Sequence, residues 1–92
     1  MIVSIQHKGL KHLWTKNDAS RLPPDQVEKI RNILTLLNRA EKVTDMNFPG
    51  LNLHPLKGNL GNYWSVTVKA NWRIIFRFEN KNVYLVDHID YH

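Results

Sequence analysis

The stretch from Tyr63 to Phe78, YWSVTVKANWRIIFRF, restricts the fold more than any other part of the chain. Trp64, Val66 and Val68 alternate with Ser65, Thr67 and Lys69, and after a break Ile74, Phe76 and Phe78 alternate with Arg73, Ile75 and Arg77. Successive side chains of a strand point to opposite faces, so this pattern predicts two half-buried strands and a tight turn, one face apolar and the other basic. Directly opposed residues of an antiparallel pair share a face, which makes the register arguable. A two-residue turn at Ala70 and Asn71 would set Val68 against Arg73 and mix the faces. A three-residue loop of Ala70, Asn71 and Trp72 sets Trp64 against Phe78, Val66 against Phe76 and Val68 against Ile74, and is therefore the expected connection. It also sets Lys69 against Arg73, a like-charge pair that destabilises a hairpin unless an anion lies between them.

The flanking segments supply the other elements. Ile2 to Ile5 is short and β-branched and reads as a strand. Leu10, Leu13 and Trp14 stand at i, i+3 and i+4, the apolar stripe of a short helix. Pro23 and Pro24 suit the first turn of a second helix, where a missing N–H costs little. From Asp25 to Ala40, Val27, Ile30, Ile33, Leu34 and Leu37 line one face while Glu28, Lys29, Arg31, Asn32 and Arg39 line the other, so that helix must lie on a sheet or a partner. Glu41 to Gly50 reads as a loop, Leu51 to His54 as a strand stopped by Pro55, and Val83 to His88 as the last strand after a turn at Glu79 to Asn82. If that strand runs straight with Val83 and Leu85 inward, His88, Asp90 and His92 share its outer face. The fold class expected is α+β, two N-terminal helices packed on a mainly antiparallel twisted sheet.

Ninety-two residues, 42% hydrophobic, suffice for one core and not two, so a single domain over 1–92 is expected. With no cysteine there is neither a disulfide nor a thiolate metal site, which fits a reducing compartment. No run has transmembrane length and the N-terminus lacks a signal-peptide pattern, so a cytoplasmic protein without a membrane partner is expected. The net charge of +5 is unevenly spread: from Met46 through Phe78 there is no Asp or Glu, while Lys57, Lys69, Arg73 and Arg77 fall within that stretch. Surfaces normally intersperse both signs, so this region reads as a patch for phosphates.

On this reading His54, Lys69, Arg73, Asp90 and His92 converge on one uncovered sheet face, with Lys57 just beyond. Such a set can cleave RNA without a metal or other cofactor. A base takes the ribose 2′-OH proton, a cation stabilises charge on the phosphate, and an acid protonates the leaving 5′-oxygen. Four short motifs, His54-Pro55-Leu56-Lys57-Gly58, Tyr63-Trp64-Ser65-Val66, Ala70-Asn71-Trp72-Arg73-Ile74 and the terminal Asp90-Tyr91-His92, resemble the HigB branch of the RelE-like toxins. The resemblance covers essentially the whole chain. It implies a compact RelE-like fold and an endoribonuclease that cuts mRNA in the ribosomal A site, against ribosomal RNA. It also implies a helix-turn-helix antitoxin that neutralises the toxin and carries it to operator DNA.

Carried over by position, the resemblance makes His54, Asp90, Tyr91 and His92 the catalytic candidates and Arg73 the phosphate clamp, with Lys57 and Asn71 holding RNA; Lys69 joins the RNA contacts through the outer face it is expected to share with Arg73. His92 or Asp90 is the candidate base, and His54 the acid or a phosphate contact. One departure is Ile75, where the family pattern leads one to expect a smaller, polar Thr. Plainer readings stand beside these. His54 before a proline suits a strand-end surface residue, Lys69 and Arg73 suit edge-strand charges, and a terminal tripeptide is by default disordered. His88 and His92 have the i, i+4 spacing of a zinc pair only on a helix, and this segment reads as a strand, so no metal is expected. Trp64 suits the core, whereas Tyr63 and Trp72 are open between packing and base stacking. Lys8, Lys11, Lys16 and Arg21 suit either an RNA contact or a solvated face. The rival function is a basic RNA- or ribosome-binding or corepressor module that cuts nothing, and a third is a ribonuclease acting on free RNA.

Overall fold

The computed structural model describes residues 1–91. Helix α1, Lys8–Lys16, begins where His7 Nδ1 accepts the Leu10 N–H at 3.2 Å. It ends at Asn17, whose φ of +54° lets the chain turn while its N–H still reaches Leu13 O. A 3-10 turn, Pro24–Gln26, leads into helix α2, Val27–Arg39. Proline starts this turn because the first helical N–H groups have no intrahelical acceptor to lose.

Strands β1, His54–Pro55, β2, Trp64–Lys69, β3, Trp72–Glu79, and β4, Asn82–Asp90, form one sheet in the order β1-β2-β3-β4, each pair antiparallel. Ile30, Ile33, Leu34 and Leu37 of α2 and Leu10 and Leu13 of α1 are buried in one core with Val66, Ile74, Phe76, Val83 and Val86 of the sheet. Full burial of each such side chain is worth about 1.5–3 kcal/mol, which is what fixes the helices on this side. The architecture is the expected α+β one.

Several local expectations are corrected. The β2–β3 connection is the two-residue turn Ala70-Asn71, with Lys69 opposite Trp72 and a bulge at Val68 that restores Thr67 opposite Arg73, Val66 opposite Ile74 and Trp64 opposite Phe76. The bulge adds the extra residue that the three-residue loop was invoked to provide. The faces stay unmixed, and no Lys69–Arg73 pair forms. A second register shift puts one extra residue into β4, at Leu85, which has φ +55° and is exposed. Val83, Val86 and His88 therefore face the core, whereas a straight strand would have placed Leu85 there and His88 outside. The Ile2 to Ile5 segment makes only isolated parallel bridges, Ile2 to Val83 and Ile5 to Val86. Leu51 to His54 does not extend as one strand, because Asn52 takes φ +52° and only His54 and Pro55 pair with β2. The β3–β4 turn is Asn80-Lys81, both at positive φ (51° and 68°), the two-residue form that matches strand twist.

Candidate active site

Register assigns each candidate to a face. His54 lies opposite Ser65, Ser65 opposite Ile75 and Ile75 opposite Asp87, so these four form one row on the side away from the helices. The next row is Thr67, Arg73 and Ile89. Arg77 follows Arg73 and Ile75 on the same side of β3, by alternation. Lys69 and Asp90, both opposite Trp72, belong to the other side. The four described residues of the five expected on one uncovered face are thus divided, and the two bulges are the cause.

Lys69 is the clearest correction. Its ammonium pairs with the Asp25 carboxylate in the turn before α2, and that hydrogen bond holds the Asp25 pKa below its usual range. Arg73 is held differently. Its Nη1 donates to Ala70 O at 2.6 Å and to Trp72 O at 3.2 Å, and its buried Nε has no partner among the described residues. The two backbone acceptors orient the guanidinium without neutralising it. A buried N–H left without an acceptor costs about 1–3 kcal/mol unless an outside group satisfies it.

Around this arginine the β2–β3 turn meets the end of β4. Tyr91 N–H donates to Asn71 O at 2.8 Å, Asp90 pairs across from Trp72, and Asn71, Asp90 and Tyr91 are all exposed. His92, the remaining member of the terminal set, lies outside the described residues. His54 is exposed and donates from Nδ1 to Asn52 O at 2.8 Å, which leaves the lone pair of the neutral ring on Nε2. Three strand spacings and three residues separate His54 from Asp90, about 17 Å at the backbone. The two cannot flank one phosphate in this arrangement. Lys57 is exposed, two residues beyond Pro55.

Trp72 and His88 are the residues whose place was least expected. Their rings stack at 4.5 Å and 15°, the His7 ring meets His88 edge-on at 5.5 Å, and His88 Nε2–H donates to buried Gln26 Oε1 at 2.9 Å. Burial, reinforced by the neighbouring His7 and opposed by Asp87, pushes the His88 pKa down to about 4. This cluster underlies the strand end that carries Asp90. Gln26 and Asn52 had no sequence signal, since each becomes relevant only through a partner elsewhere in the fold. Ile75, at the position expected to hold Thr, is buried with Ser65 and Leu56 outside the main core.

The same architecture occurs in solved bacterial proteins. A YafQ mutant from E. coli covers 96% of this chain and 89% of its own with a TM-score of 0.60 at 20% identity. A YoeB/ParE toxin from Agrobacterium tumefaciens covers 99% and 97% with a TM-score of 0.59 at 25% identity. More specifically, the chain belongs to the HigB-like toxins, RelE-like toxins of type II toxin-antitoxin systems, whose family model matches residues 3–92. Among its relatives, the Endoribonuclease HigB of Proteus vulgaris is 44% identical over the full length of both chains. The Toxin HigB-1 of Vibrio cholerae is 28% identical over 96% of this chain and 98% of its own.

Proposed function

We propose that this chain is an endoribonuclease toxin that cuts mRNA in the ribosomal A site in the cytoplasm, without a metal, and so stops translation. The observation that carries the reading is Arg73: a guanidinium oriented by two backbone carbonyls, paired to no carboxylate among the described residues, with a buried N–H awaiting an acceptor. A non-bridging phosphate oxygen supplies that acceptor. The full-length similarity to a protein named as an endoribonuclease supports the same reading.

In the reaction the ribose 2′-oxygen attacks the adjacent phosphorus while the bond to the 5′-oxygen breaks, leaving a 2′,3′-cyclic phosphate and a 5′-OH. His92 takes the 2′-OH proton, or Asp90 does from the other side of the exposed strand end, and Arg73 stabilises the charge that develops on the phosphoryl oxygens, a contribution of about 10²–10³-fold for a preorganised donor. The separation of His54 from Asp90 favours a contact to a neighbouring phosphate for His54. Protonation of the leaving oxygen then falls to Tyr91 or to whichever of Asp90 and His92 is not the base. Asn71 and Lys57 hold the RNA on either side. A helix-turn-helix antitoxin neutralises the toxin and brings it to operator DNA.

Primer extension on one mRNA incubated with the protein in EDTA, with and without programmed ribosomes, tests this. Cuts at codon positions only when ribosomes are present are expected. Cuts in both lanes would make it a free ribonuclease, and none in either would leave a binding module.

A further inference from the structure

At the end of the sheet away from the β2–β3 turn, a cavity of about 350 Å³ opens beside Pro55. Its walls include Asn62, Tyr63, Trp64, Arg77, Phe78 and Glu79. That volume lies within the range of small-molecule sites. The three aromatic rings are only partly buried, Trp64 and Phe78 with their inner sides against the core and Tyr63 outside it, and the Tyr63 hydroxyl, the Arg77 guanidinium and the Glu79 carboxylate have no hydrogen bond or ion pair with any described residue. Aromatic surface beside unpaired donors and acceptors is what an unpaired nucleobase requires: a flat face to stack on and polar groups for its edge. The groove along α1, lined by Lys8, Lys11, His12, Thr15, Lys16 and Arg21, contains one imidazole and no Tyr, Trp or Phe, so it offers mainly charge.

The cavity lies at the sheet end and borders the proposed cleavage face at Arg77. Pro55 follows His54 directly, and Arg77 lies on the same side of β3 as Arg73, four residues and about 13 Å along the strand. A strand of RNA clamped at Arg73 and contacted by His54 is led toward the cavity. We infer that this cavity is a base-binding subsite, which takes one unpaired nucleobase of the same RNA at a position flanking the cut. The inference rests on the endoribonuclease reading and adds a second anchor that sets where along the RNA the clamp falls.

The test is cleavage on programmed ribosomes of mRNAs carrying a single abasic residue at successive positions around the cut, by the parent protein, Tyr63→Leu and Arg77→Gln. Base–aromatic stacking predicts that the parent slows about ten-fold at one flanking position. Each variant cuts the unmodified mRNA about ten-fold more slowly than the parent, yet cuts that abasic mRNA at the parent's rate on it. Equal sensitivity at all positions, position sensitivity that persists in both variants, or loss of cutting by both variants on every RNA alike would overturn the subsite. Failure of the parent to cut unmodified mRNA overturns the endoribonuclease reading and the subsite with it, so the two failures are distinct.

Discussion

On the helix side of the sheet Lys69 ends on the carboxylate of Asp25, whereas on the far side Arg73 and Arg77 meet no carboxylate among the described residues. The two sides also treat histidine differently. His88 is sealed under Trp72 and held neutral by burial, while His54 stands exposed with its Nδ1 on Asn52 O. The chain thus neutralises Lys69 on the side the helices cover and leaves Arg73 and Arg77 without a carboxylate among the described residues on the other. Cationic composition alone would have assigned Lys69 and Arg73 the same work. Their partners divide them.

The largest effect expected to sharpen this contrast is on Arg73. Arg73→Ala should lower cleavage on programmed ribosomes about 10²–10³-fold with little change in thermal midpoint. Arg73→Lys should recover little, because an ammonium lacks the planar fork that binds two carbonyls and a phosphate together. Undiminished cutting by Arg73→Ala would erase the difference between the faces.

On the covered side the corresponding effect is on stability. An unfolded chain takes up a proton at His88 near pH 6.5, while the folded chain resists until about pH 4. Stability therefore falls as pH drops across that interval, by up to about 3 kcal/mol from this residue. Urea unfolding at pH 7 and pH 4.5 should show the loss in the parent protein and a smaller loss in His88→Gln. The bulge that turned His88 inward is tested by Leu85→Gly, which should raise stability by roughly 0.5–1 kcal/mol by relieving a side chain from a left-handed backbone. A destabilised variant would mean that Leu85 contributes packing that its exposure does not suggest. Smallest of all, Lys69→Ala should leave the thermal midpoint almost unmoved and lower cleavage far less than Arg73→Ala, since its charge is already engaged. A loss rivalling that of Arg73 would return Lys69 to the RNA-binding role its sequence position suggested.

What the sequence by itself determined is periodic or local. The 3.6-residue stripe of Ile30, Ile33, Leu34 and Leu37, the alternation through Tyr63 to Phe78 and the proline before α2 each constrain the chain through neighbours a few residues away, and each element formed, with its ends shifted by one or two residues. The four motifs were likewise enough to point to the HigB-like toxins, to which the family model assigns the chain. Only the tertiary structure decided which face the site residues occupy. One extra residue at Val68 and one at Leu85 each invert every position beyond them, because side chains alternate with a period of two. Pairings such as Lys69 with Asp25 and His88 with Gln26 join segments 44 and 62 residues apart, and no local pattern records them. Periodicity fixes what an element is, but a charge acquires its role from the partner that folding brings to it.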